Sequence, residues 1–187
     1  MEDYIRFVKL EDTKEILDIY SHYIKNTCIT FEEEIPTEDE FRQRIAKISS
    51  AYPYLVYISN GKIIGYAYAG KYRERFAYRF DVETSIYTDK DKKIKGVGKA
   101  LYKVLLEMLK ELGYYNVYAI ITVPNPKSIK IHDEFGFKEL SRYYNTGYKH
   151  NKWRDVVVLG KNIIPYTDNP SEPKQIDELK IKYKGIY

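Results

Sequence analysis

One cysteine, Cys28, and one tryptophan, Trp153, occur in 187 residues. A lone cysteine can neither close an internal disulfide nor build a metal cluster, so no metal is expected. Packing must then hold the fold, and a reducing compartment, the cytoplasm, is the expected location. Taken alone, Cys28 reads as a small buried residue. Long apolar runs are also missing, so no segment is expected to span a bilayer and no membrane partner is expected. Met1 to Leu10 alternates charged and apolar residues without a hydrophobic stretch, which is not the pattern of a signal peptide. Nor is there an excess of one charge: 31 Lys and Arg face 27 Asp and Glu, well mixed, for a net +4. A nucleic-acid binder more typically carries a clustered basic stripe, so nucleic acid is not an expected partner. The one local excess, Lys90 to Lys99, suits a small anionic ligand.

What remains is an ordinary globular composition, 44% hydrophobic, with 21 tyrosines. The length fits one domain with a sizeable core, or one domain and a tail. The tyrosines fall in alternating strands as well as loops, and most read as half-buried strand residues. Ile5 to Leu10 reads as a first strand. Asp12 or Thr13 can cap a helix carrying Ile16, Leu17, Ile19, Tyr20 and Ile24 at helical spacing. Thr37 opens a capping box with Glu40, ahead of Phe41, Ile45 and Ile48. "YPYLVYIS" and "KIIGYAYAG" flank Asn60-Gly61, a strong hairpin signal. Val82 to Thr88 is a fourth strand. Val97, Leu101, Val104, Leu105, Met108 and Leu112 then form one helical stripe, which Gly113 ends. "NVYAIITV" is a fifth strand. Asn125-Pro126 reads as an N-cap and first helical residue, opening a short helix that stops near Gly136. Strands around Lys138 to Tyr144 and Asp155 to Leu159 follow. From Asn162 the chain is polar, with three prolines and little periodicity, as expected of a surface wrap or flexible tail. The order is β-α-α-β-β-β-α-β-α-β-β: an α/β domain built on a single mixed, largely antiparallel sheet flanked by helices.

The segment between the fourth strand and its helix, "TDKDKKIKGVGKA", is the first with chemical promise. Gly96 and Gly98 lack a Cβ and let backbone approach a ligand. Free N–H groups at a helix start favour an anion, and Lys92, Lys93, Lys95 and Lys99 add charge. A Gly-x-Gly pair before a helix is compatible with a purely structural turn as well. It is not a Walker loop, because Ala100 follows Gly98-Lys99. It is not a dinucleotide fingerprint, because Leu101 occupies the third small position.

"KIKGVG" resembles the Gln/Arg-x-x-Gly-x-Gly/Ala pyrophosphate loop of the GNAT superfamily of acyl-CoA-dependent N-acetyltransferases, with Lys93 in place of the usual Gln or Arg. "NPKSIKIHDEFGF" is similar to that superfamily's second motif, with Asn125, Ser128 and Gly136-Phe137 in place and His132 where relatives often carry tyrosine. Together with "AYAGKYRERFAY", "VETSIY" and "GYKHNKWRDV", these motifs resemble the phosphinothricin acetyltransferase branch up to about Pro165. The resemblance implies the GNAT fold over residues 1–161, with 162–187 as a polar extension. It implies acetyl-CoA as cosubstrate, held by Ile86, Tyr87, Thr88, Lys93, Ile94, Lys95, Gly96, Val97, Gly98, Lys99, Asn125 and Ser128. It also implies a homodimer.

Acetyl transfer to an amine requires removal of a proton from the attacking nitrogen and, eventually, delivery of one to the departing thiolate. Glu83, the one carboxylate within an otherwise apolar and hydroxyl-bearing strand, is the candidate base. His132 shares a helical face with Ser128 and titrates near neutrality. It could protonate the thiolate, assist amine deprotonation or orient the substrate. His22 reads as structural or surface, and His150 as part of a turn. Arg73, Arg75 and Tyr78 suit carboxylate or phosphinate oxygens, with Phe31 a further pocket wall. The expected reaction is direct N-acetylation of a small amino-acid analogue such as phosphinothricin or methionine sulfoximine. Another small amine, or non-catalytic acyl-CoA binding, are the alternatives; a polyamine would call for an acidic pocket, and "KYRER" is basic.

Overall fold

A computed structural model of the chain describes residues 3–91 and 94–183. Among the described residues are β1 (Tyr4–Phe7), α1 (Thr13–Asn26), α2 (Glu38–Ser49), β2 (Tyr54–Ser59), β3 (Lys62–Lys71) and β4 (Asp81–Thr88). They are followed by α3 (Val97–Leu112), β5 (Asn116–Val123), α4 (Pro126–Glu134), β6 (Lys138–Lys149), β7 (Lys152–Asn162) and α5 (Ile176–Lys182). The strands form one sheet in the order β1-β2-β3-β4-β5-β7-β6. Every neighbouring pair is antiparallel except β4 and β5.

Local signals explain most boundaries. Asn60 and Gly61 both have positive φ (50° and 74°), as a two-residue turn that matches strand twist requires. Thr37 Oγ1 accepts from Glu40 N at 3.3 Å, and Glu40 Oε2 accepts from Thr37 N at 2.8 Å, closing the reciprocal cap at the start of α2. Gly113 ends α3 at φ 91°. Asn125 Oδ1 accepts from Ser128 N at 3.2 Å, with Pro126 in the first turn of α4.

Three boundaries differ from the sequence reading. The first strand stops at Phe7, because the Asp12 carboxylate draws the chain into a turn: it accepts from Arg6 at 2.6 and 2.8 Å and from Lys9 N at 2.7 Å. β6 and β7 extend well beyond Lys138 to Tyr144 and Asp155 to Leu159, meeting in a turn where His150 and Asn151 take positive φ (51° and 58°). β6 is exposed along most of its length, so it carries no apolar alternation from which to read it. The tail contains α5, whose Ile176 and Leu179 are buried in the main core. Two buried apolar residues in one short helix, with Ile181 exposed, leave too little periodicity to detect.

Each face of the sheet carries its own core. Leu101, Leu105, Leu109 and Leu112 of α3 pack on Val82, Val117 and Val157. On the other face, Ile16, Ile24, Phe41 and Ile45 of α1 and α2 cover Tyr54, Val56 and Tyr66. Many tyrosines gather here: the rings of Tyr54 and Tyr68 stack at 4.9 Å and those of Tyr66 and Tyr87 at 5.2 Å. Area burial and ring geometry both contribute to such a cluster.

Candidate active site

The site is centred on the single parallel pair. β4 and β5 are registered only from Asp81↔Asn116 to Glu83↔Tyr118, and beyond that point they diverge. A side chain replaces the ladder at the vertex: Thr84 Oγ1 donates to Tyr118 O at 3.2 Å and accepts from the Tyr102 hydroxyl, 2.8 Å away. On the far side of β4, the Tyr23 hydroxyl donates to Thr88 O at 2.6 Å, tying α1 to the strand end.

The divergence opens a groove of about 830 Å³, within the range of small-molecule and cofactor sites. Thr84, Ser85, Ile86, Tyr87 and Thr88 form one wall, Ala119 to Thr122 the other, and Gly98, Asn125, Ser128, Ile131 and His132 close one side. Ile94, Lys95, Lys90 and Lys127 stand at its mouth. The first N–H groups of α3 have no partner within the helix, and they bring partial positive charge to this mouth. Gly96 caps α3 at φ 91°. A Cβ on Gly98 would come within 3.2 Å of Ile131 Cδ1 and 3.5 Å of Ile86 Cδ1, so its bare backbone holds the groove open. A long ligand with an anionic end fits these features.

Successive β4 side chains point to opposite faces, and their contacts show which. Thr84 reaches Tyr102 of α3, whereas Tyr87 packs edge-on against Tyr20 of α1, 5.2 Å between centroids. Glu83 therefore faces α1 and α2. It is half-buried beside the vertex, and burial raises its carboxyl above the ordinary carboxylate range. Nearby, Tyr118 stacks on Tyr72 at 4.1 Å, and the Arg73 guanidinium lies 5.1 Å from the Tyr72 ring and 5.5 Å from that of Tyr78. Arg73 makes no ion pair among the described residues, so its charge remains available to an anion.

His132 lies across the sheet, 2% exposed, with its ring edge-on to Tyr102 at 4.9 Å and to Phe137 at 5.1 Å. Its Nδ1 sits 2.7 Å from Ser128 O. A carbonyl only accepts, so Nδ1 carries the proton and Nε2 presents a lone pair. Nε2 is buried with no partner among the described residues, and burial lowers the imidazole pKa. The resting group is a neutral imidazole whose acceptor nitrogen is free.

Most of the residues expected to hold the coenzyme line this groove: Ile86, Tyr87, Thr88, Ile94, Lys95, Gly98, Asn125 and Ser128. Val97 is buried in the main core beneath it. Lys99 pairs with Glu134 of α4 at 2.6 Å, and Lys93 lies outside the described residues. Arg73 and Tyr78 come together; the Arg75 side chain is exposed and takes no part in their cluster. Phe31 is 39% exposed and lies over Gly147 of β6. The sequence reading did not single out Tyr72 or Tyr118, although the first lies within "KYRER" and the second pairs with Glu83. Nor did it place His22, Tyr23, Thr27 and Ile29 on the groove wall. Their position follows from how α1 packs, which no local pattern records. Among the described residues, no group of three or more His, Cys, Asp or Glu is placed to hold a metal, and no helix is long and apolar enough to cross a membrane.

A central strand pair that parts beside a helix N-terminus, with a half-buried carboxylate at the vertex, suits an enzyme that takes a group from a donor with an anionic handle. The chain belongs to the GNAT acetyltransferases: the model of the acetyltransferase (GNAT) domain family matches residues 5–158. It is 33% identical to the phosphinothricin N-acetyltransferase of Streptomyces viridochromogenes over 90% of this chain and 93% of that one. It is 29% identical to the L-methionine sulfoximine/L-methionine sulfone acetyltransferase of Salmonella typhimurium over 83% and 91% of the two chains. Among solved structures, the Sinorhizobium meliloti phosphinothricin acetyltransferase in complex with AcCoA superimposes with a TM-score of 0.86 at 35% identity, covering 93% of this chain and 94% of that one. The protein is thus an acetyl-CoA-dependent N-acetyltransferase of the phosphinothricin and methionine sulfoximine type.

Proposed function

We propose that the enzyme transfers the acetyl group directly to the α-amino group of a small amino-acid analogue such as phosphinothricin or methionine sulfoximine. The observation that carries this reading is the half-buried Glu83 carboxylate beside the cation-aromatic cluster of Arg73, Tyr72, Tyr78 and Tyr118. Acetyl-CoA supplies an activated thioester when bound. The N-terminus of α3, with Gly96, Gly98, Lys95 and Lys99, would hold its anionic end; Ile86, Tyr87, Thr88, Asn125 and Ser128 would line its path. Glu83, its carboxyl raised by burial, takes the amine's proton at a carboxylate oxygen, directly or through water, and a basicity nearer neutrality suits that task. Arg73, assisted by Tyr78, holds the substrate's acid group, and Phe31 walls the pocket.

We assign His132 an orienting role through Nε2, which accepts a hydrogen bond and has no proton to give; the departing thiolate would take its proton from solvent. Direct transfer is supported by the same tautomer. The nitrogen near Ser128 Oγ, at 3.5 Å, is the protonated Nδ1, so it cannot activate that hydroxyl as a nucleophile. Cys28 lies in a separate cavity beside Thr122, Pro124 and Arg154.

We further propose a homodimer, supported by large apolar side chains left exposed on the β6–β7 hairpin, notably Tyr144 at 73% and Trp153 at 60%. Light scattering on a Trp153→Glu variant tests it. A cytoplasmic location rests on the single cysteine, and residues 162–187 are proposed as an extension of the 1–161 unit.

The deciding experiment is thiol release from acetyl-CoA across acidic, neutral and basic amines. Turnover is expected with acidic α-amines and intersecting initial-velocity lines. Preference for polyamines, or parallel lines, would overturn the substrate or the mechanism respectively.

A further inference from the structure

The motif "GYKHNKW" contributes a buried cation that the reaction does not use. Lys149, near the end of β6, is 2% exposed, and its ammonium donates to Ile24 O at 2.7 Å, Thr30 O at 2.9 Å and Glu32 O at 2.7 Å. Those bonds exhaust its three donors. Ile24 O belongs to the last turn of α1, where helix carbonyls lack partners and favour a positive charge. The other two acceptors belong to residues 27–33, a connection without helix or strand. Burying an ammonium is costly unless it is fully paired, so the lysine and the loop backbone each require the other.

Further contacts fix the same loop. The Tyr20 hydroxyl lies 2.9 Å from Thr30 Oγ1 and donates to Glu32 Oε1 at 3.0 Å, and Arg44 donates to Glu32 Oε1 at 2.7 Å. Phe31 lies so tightly over Gly147 that a Cβ there would fall 2.0 Å from the ring. Thr27 and Ile29 reach the groove wall. The loop thus runs over the α1 side of the sheet, the side that Glu83 faces.

We propose that Lys149 is a positioning residue: it holds the 27–33 loop rigid as a wall of the amine pocket, so that amine recognition depends on the β6–β7 hairpin. This rests on the assignment of the amine to the Glu83 side. The loop contributes only Thr27 and Ile29 to a groove otherwise built by β4, β5, α3, α4, His22 and Tyr23 of α1 and the segment leading into α3, so coenzyme binding should be little affected.

Lys149→Met and Gly147→Ala test this from two directions, the first removing the ammonium and the second displacing Phe31 with Lys149 intact. Both are expected to raise KM about tenfold for whichever amine the wild type acetylates best, with kcat and the acetyl-CoA dissociation constant changed less than about threefold. Amide exchange should accelerate in residues 26–33 and not in β4 or β5. Unchanged exchange in both variants refutes the clamp. Faster exchange with unchanged KM refutes the wall. An equal loss of coenzyme affinity reassigns Lys149 to general stability. If Lys149→Met does not fold, Gly147→Ala alone decides, because an unchanged KM there overturns the proposal. A wild type that acetylates no amine sinks the functional reading instead, while exchange still reports on the clamp.

Discussion

Thr84→Val removes one hydroxyl and keeps the shape of the side chain, at the point where β4 and β5 part. The Tyr102 hydroxyl, on a fully buried ring, then loses its one partner, Thr84 Oγ1, and Tyr118 O loses a donor. An orphaned buried hydroxyl costs about 1–3 kcal/mol and a lost neutral hydrogen bond about 1 kcal/mol. The single variant should therefore lose about 2–4 kcal/mol. For a chain of this size each kcal/mol shifts Tm by roughly 2–4 °C, so a fall of roughly 4–16 °C is expected. Tyr102→Phe alone should cost about 1 kcal/mol, since Thr84 keeps its bond to Tyr118 O. In the double variant no hydroxyl is orphaned, and the loss should be smaller than the sum by about 1–2 kcal/mol, a coupling within reach of a double-mutant cycle. Urea unfolding of the four proteins measures it. Additive losses would show that the two hydroxyls do not depend on one another and that the vertex is fixed by something else.

Glu83→Gln should lower kcat/KM by about 10²–10⁴-fold with little change in acetyl-CoA affinity, as separate kinetic and binding measurements will show. The same variant should melt higher than wild type at neutral pH. Because burial raises the folded-state pKa of Glu83, the ionised carboxylate costs stability as pH climbs from the unfolded value through the folded one, and the variant's advantage should vanish in acid. His132 works in the opposite sense: its depressed pKa contributes stability above the unfolded value near 6.5, which is lost as pH falls. His132→Phe should flatten that part of the stability curve. Gly98→Val should weaken acetyl-CoA binding at least tenfold in titration calorimetry, because even its Cβ meets Ile131 and Ile86. Leu179→Ala should cost about 2–5 kcal/mol in chemical denaturation if α5 is part of the main core.

Much of this was written locally. Asn60-Gly61, the Thr37 and Glu40 pair, Gly113 and Asn125-Pro126 specify their turns and caps through short-range chemistry, so the order of elements up to α4 is legible without the structure. The hairpin of β6 and β7 was legible only at its middle, since exposed strands need no apolar alternation. α5 escaped because it is short and only Ile176 and Leu179 of its three apolar residues are buried. At the site, Glu83, His132, Gly98 and Arg73 sit in motifs and can be named from them. The contacts of Tyr118, Tyr23 and Lys149 cannot be read this way, although Lys149 sits in a motif, because their partners are 34, 65 and more than 100 residues away in the chain. Long-range partners of this kind are fixed by sheet register and helix packing.

Glu83 and His132 stand on opposite sides of the sheet, and this has a consequence for descent. In the proposed reading the coenzyme groove is framed mainly by β4, β5, α3 and α4, the amine side by the loop after α1 and the β6–β7 hairpin, and α1 borders both. Substitutions in the hairpin and in the loop residues away from the groove leave most of the groove's lining in place. A lineage could therefore exchange one amine for another in small steps without ever losing hold of its acetyl donor. The sheet acts as a party wall between a fixed tenant and a changeable one.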